Sequence, residues 1–147
     1  MKYMKYMKIT GLVFLAAVLS SAVLVTGANE GKVIEIRDRM FIQQSNDVYI
    51  NVGEYLGKTV RLEGIYSKFT NEDGRDPISY VYRKTPGCCG DDGKMGFMVL
   101  LDGVPAPEPE AWVEATGKVE VTERNEVALR LSSLKVMDKR GKEFVSN

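Results

Sequence analysis

Two long segments of this chain set apolar against polar residues at alternate positions, and that period fits strands rather than helices. In Thr59–Phe69, Val60, Leu62 and Ile65 alternate with Arg61, Glu63 and Ser67. In Trp112–Thr122, Trp112, Glu114 and Thr116 stand against Val113, Ala115, Val119 and Val121. Ile78–Arg83, Met95–Leu101 and Val127–Val136 read as three further strands, bounded by the NEDGRDP loop and an Arg124-Asn125 turn. Gly64 interrupts the first segment and predicts a bend or bulge there. The PAPEP stretch, Pro105–Pro109, predicts a stiff, exposed connection before the fourth strand.

Upstream, Lys32–Ile36 predicts a short strand, with Met40–Ile42 continuing it. Ser45 or Asn46 caps a short helix running to about Leu56, and Gly57 stops it. The expected fold is therefore mainly β. It is a five-stranded OB-like barrel with a short N-terminal strand and helix added. An immunoglobulin-like sandwich is the runner-up, but it wants about seven strands and often a Cys…Trp…Cys framework, neither of which is visible.

The N-terminus has the order of an export signal. Lys2, Lys5 and Lys8 precede an apolar run, Ile9–Val25, and then small residues, Thr26-Gly27-Ala28. Residues 1–28 are read as a signal peptide, with an N-terminal membrane anchor over 9–25 as the rival. The run is slightly short of the ~20 residues that a spanning helix needs. Residues 29–147 are then one domain, exported to a periplasmic or extracellular, secreted or membrane-associated location. Without the three leader lysines, 17 basic residues face 20 acidic ones, a net charge of −3. Such a balance argues against nucleic acid as a partner. The chain has no histidine, so neither a Ser-His-Asp nor a Cys-His machine can be built from it. No other set supplies a nucleophile, a base and an oxyanion donor together, and an enzyme is not expected.

The only two cysteines are adjacent, Cys88-Cys89, inside GCCGDDG. Disulfides want Cα atoms about 4.4–6.8 Å apart, and consecutive Cα atoms lie only about 3.8 Å apart. A structural staple is thus disfavoured, and three readings stay open. The pair could be two small hydrophobes packed in a turn under the barrel. It could be a thiol redox couple or a bond to a partner, although CxxC spacing is absent. Or it could be a soft-metal or metalloid site, with Cys88, Cys89, Asp91 and Asp92 as ligands and Zn or Cu(I) as the candidate ions. Three glycines, Gly87, Gly90 and Gly93, allow the chain a tight path there.

A wider pattern runs from Val33 to Val136. It comprises IEIRDRMF, a helix ending in EYLGKTVRLEGIY, the Cys pair, an aliphatic strand and WVEATGKVEV. It resembles the soluble C-terminal domain of a bacterial family described as two-component membrane permease complex subunits. The family's CC-x-x-D run falls on Cys88, Cys89 and Asp92, its YxGK element on Tyr55, Gly57 and Lys58, and its W-V-x-x-x-G element on Trp112, Val113 and Gly117. The resemblance implies an OB-like fold, export, importance of the Cys pair and a membrane permease partner.

Other signals are weaker. Asn71–Asp76 lacks the ligand spacing of a calcium loop and is read as a solvated hairpin loop. Tyr49, Tyr55, Tyr66, Tyr80 and Tyr82 are expected in core and cross-strand packing rather than in a stacking platform. Trp112 is expected to close one end of the barrel. The functional expectation is an exported accessory or binding module beside a transport system, with a vicinal Cys metal site. The alternative is a cell-envelope adaptor that binds a peptide or glycan and no metal.

Overall fold

The computed structural model describes residues 31–70 and 77–146. The proposed export segment and the Asn71–Asp76 loop therefore lie outside the described residues. Within them the chain is mainly β, with two short α-helices. The order is β1 (Ile34–Glu35), a 3-10 turn (Asp38–Met40), α1 (Phe41–Ile50), α2 (Val52–Tyr55), β2 (Thr59–Phe69), β3 (Ile78–Gly87), β4 (Gly90–Leu100), β5 (Trp112–Val121) and β6 (Val127–Val136).

All six strands share one mixed sheet, and its pairings run β1-β2-β3-β4-β6-β5 with β5 returning to β2. A ring of hydrogen bonds thus links β2, β3, β4, β6 and β5. Four of its contacts are antiparallel, and β4–β6 is parallel. β2 is shared between neighbours. Residues Thr59–Ile65 pair with β5 on one edge, while the other edge takes β1 at Val60–Arg61 and β3 at Ile65–Phe69. Gly64 lies close to where β3 takes over. A Cβ there would stand 2.7 Å from the Tyr82 carbonyl oxygen, so only glycine allows the approach.

Alternation puts Val60, Leu62 and Tyr66 of β2 in the core with Val81, Phe97, Val99, Val113, Ala115, Val119, Leu129 and Leu131. Phe41 and Val48 of α1 join them. The expected continuation of the first strand through Met40–Ile42 is corrected: α1 begins at Phe41. Packing decides this, because Phe41 is buried and its ring lies 4.8 Å from the Arg83 guanidinium carbon. Neither Ser45 nor Asn46 caps a helix; Ser45 sits buried inside α1. Gly57 ends the helical region at φ +74°.

Arg83 is the unexpected core residue, only 1 % exposed. Its Nη1 lies 2.6 Å from Asp38 Oδ1, its Nε donates to the Glu63 carbonyl at 2.7 Å, and Nη1 also reaches the Lys142 carbonyl at 3.2 Å. The Trp112 ring is 5.0 Å away. A buried charge requires such partners. Together they fasten the 3-10 turn, β2 and the C-terminal segment to β3.

Trp112 does not stand alone at one end of the ring. It packs with Ile65 and Tyr82 in a second small cluster and donates through Nε1 to Glu63 at 3.1 Å.

Candidate functional site

β3 outruns β2. Its last pair with β2 is Tyr82 with Ile65, yet it continues to Gly87. β4 begins at Gly90, and its pairing with β6 spans only Met98–Leu100. The residues between form an arm, paired as Arg83–Met95, Lys84–Lys94, Thr85–Gly93 and Gly87–Gly90. The low strand propensity of glycine and aspartate hid the first residues of β4 from sequence reasoning; pairing with β3 overrides that propensity.

The base of the arm is braced. Lys84 N–H donates to the Glu143 carbonyl, and Val145 N–H to the Lys84 carbonyl, both at 2.9 Å. Val145 is 2 % exposed and belongs to the main core. Lys84 Nζ also pairs with Glu143 at 3.1 Å. Bonds from Lys84 and then Arg140 hold the Glu143 carboxyl below the usual range.

Cys88 and Cys89 occupy the two-residue turn at the tip. Gly90 follows at φ +121°, a conformation closed to ordinary side chains. Both cysteines are free and exposed. This corrects the reading that packs them as small hydrophobes under the fold. A turn beyond both neighbouring strands has no core to enter. The two Sγ atoms lie 3.4 Å apart, on the same side of the turn. Asp91 and Asp92 follow in β4, and their side chains lie outside what is described. Among the described residues no group of three His, Cys, Asp or Glu side chains could hold a metal ion. The donors fixed in space are thus two sulfurs.

A second candidate surface lies along the arm's flank. Tyr49, Phe69, Tyr80, Tyr82, Lys94, Met95 and Gly96 line a groove of about 430 Å³. Lys94 Nζ stands 4.8 Å from the Tyr82 ring and 5.5 Å from Phe69. Tyr49 donates to the Gly96 carbonyl at 2.6 Å and stacks on Phe97. Burial, with Tyr80 nearby, pushes the Tyr49 phenol up to about 12. Only Tyr66 of the five tyrosines is fully enclosed, bonded to Ser79 Oγ at 2.9 Å, and Tyr55 bonds Asp47 on the helices. Sequence reasoning missed Lys94, because nothing local shows that its side chain lies back across two rings.

A second groove, about 760 Å³, runs between Pro77, Leu100–Asp102 and Glu120–Arg124. Arg130 binds both Glu120 and Asp102 there, so much of its charge is internally matched.

Among the described residues no helix is long and apolar enough to cross a membrane. A family model described as the DUF1980 C-terminal domain matches residues 20–145. No curated protein matches the chain. One solved structure similar to it is the OBody AM1L10 bound to hen egg-white lysozyme, at 21% identity and a TM-score of 0.39 over 58% of this chain and 84% of that one.

Proposed function

The chain belongs to the DUF1980 C-terminal domain family, and from that premise we propose that it is an exported binding module that takes a soft metal or metalloid ion on its vicinal thiols. The carrying observation is the free, exposed Cys88-Cys89 pair, with sulfurs 3.4 Å apart at the tip of an arm. Sulfurs arranged around tetrahedral zinc at about 2.3 Å are about 3.8 Å apart, so a small side-chain rotation lets both grip one ion. The ring of β2, β3, β4, β6 and β5 is read as a closed OB-like barrel that carries the arm. The export-type leader and the resemblance to permease subunits support a place beside a membrane transport system, with the permease as partner.

The test is uptake by the reduced protein. Wild type should bind Zn²⁺ or Cu(I), Cys88→Ser with Cys89→Ser should not, and acid should release the ion because thiolates must lose their protons to bind. Equal uptake by wild type and the double variant sinks the proposal.

The aromatic groove favours a second reading, an adaptor that binds a glycan or peptide. Rings such as Phe69 and Tyr80 beside Lys94 suit stacking on a sugar face. Binding of glycan or peptide that survives in the double-serine variant and fails in Tyr80→Ala would favour it.

A further inference from the structure

The thiol pair supplies only half of a thiophilic tetrahedral shell. We infer that a second copy of this chain supplies the other half, so that one ion joins two arms tip to tip through four thiolates. This inference rests on the metal reading of Cys88 and Cys89 and adds the partner.

The argument begins with ligand number. Structural zinc sites are almost always four-coordinate, with Cys and His ligands. The chain has no histidine and no further cysteine. Asp91 and Asp92 follow the pair in the chain, and their side chains lie outside what is described. Any further thiolate therefore comes from outside the chain, and an identical arm provides the same two.

Access comes next. Pro86, Gly87, Cys88, Cys89 and Gly90 are all exposed. Beyond Lys84, where the C-terminal segment pairs with the arm, no described strand flanks Thr85–Gly93. The residues beside the thiols are proline and glycine, so little side-chain bulk separates two approaching tips. A two-fold axis through the ion makes the contact self-complementary, the commonest form of pairing between identical chains.

The experiment is a Zn²⁺ titration of the reduced full chain in mild detergent, read by bound metal per chain and by mass in sedimentation. The expected result is one ion per two chains, a doubled mass on adding Zn²⁺, and return to the single mass with a chelator. Asp91→Asn with Asp92→Asn should keep both the ratio and the doubling. Cys88→Ser with Cys89→Ser should remain at the single mass, with unchanged circular dichroism. One ion bound per chain on a single-mass species, or loss of doubling in the aspartate variant, overturns the shared site but leaves a metal-binding module standing. A mass that ignores Zn²⁺ overturns it as well. No uptake above the double-serine variant removes both the shared site and the metal reading.

Discussion

Leu62 and Cys88 are twenty-six positions apart, and the fold uses them in opposite ways. Leu62 points into the ring and is 1 % exposed, packed among side chains from every other ring strand. Cys88 stands on a turn with solvent on its free side and one sulfur for company. Interiors are close-packed, so removing atoms there costs free energy. A projecting turn has no such packing to lose. Stability is thus expected of the ring and the proposed metal chemistry of the arm, and the substitutions below test that division.

The largest effect should follow Leu62→Ala. Leu→Ala changes in cores cost about 2–5 kcal/mol, and the full burial of Leu62 argues against the low end. Denaturant unfolding measures it. A loss below 1 kcal/mol would mean that the ring collapses around the gap, and the comparison would lose its first half.

Arg83→Met should come next. It keeps the stem but leaves Asp38 and two carbonyls without their guanidinium. Breaking a buried pair costs about 3–5 kcal/mol, and the low end applies because Asp38 is 59% exposed. Faster amide exchange around Asp38 and Lys142 should accompany the loss. Exchange changes confined to the arm tip would show that Arg83 braces a different part of the molecule.

β2 and β5 were legible because alternation persists over ten or so residues, with their bounds met to within a residue. Met40–Ile42 was not, since three apolar residues carry no period, and tertiary burial of Phe41 settled the matter. Gly90–Lys94 was hidden for the opposite reason. Its composition is that of a loop, and only cross-strand pairing with β3 makes it strand. Arg83 gave no signal: its partners Asp38 and Lys142 lie tens of residues away. For the thiols, spacing alone could disfavour a staple but could not separate a buried turn from a projecting one. Exposure, which depends on where β2 and β6 stop, made that distinction.

Val145→Ala probes the join between the two regions. Each buried CH₂ is worth about 0.8 kcal/mol, so the variant should lose about 2 kcal/mol. Because the Val145 N–H bonds the Lys84 carbonyl, loosening this segment should also speed amide exchange at the arm's base more than in β2. Uniform behaviour across arm and ring would merge them into one unit.

Alkali tests the flank of the arm. The Tyr49 phenol ordinarily titrates near 10.0 and is raised to about 12 by burial and by Tyr80. Below the ordinary value both folded and unfolded chains hold the proton, and the contribution is fully present. As pH rises from 10 toward 12 the unfolded chain releases its proton first, so stability falls across that window. Tyr49→Phe should show a shallower fall in the unfolding midpoint between these values. An identical slope would mean that the Tyr49 hydroxyl is not held in a buried setting beside Tyr80.

The smallest effect on stability belongs to the thiols. Surface substitutions away from special features usually stay within about 0.5 kcal/mol, and Cys→Ser at both positions changes neither volume nor backbone demand by much. The glycine that the turn requires at positive φ, Gly90, is untouched by the substitution, so the turn should be preserved. The unfolding midpoint without metal should therefore coincide with that of wild type. Zn²⁺ should separate them, because an ion that binds only the folded chain raises stability with its concentration. If the double variant loses more than 1 kcal/mol without metal, the tip contributes to the fold, and the division between ring and arm fails at the point where it is drawn most sharply. If the metal-free midpoints coincide and Zn²⁺ raises only wild type, the arm has no structural duty and its sequence is free to serve the ion.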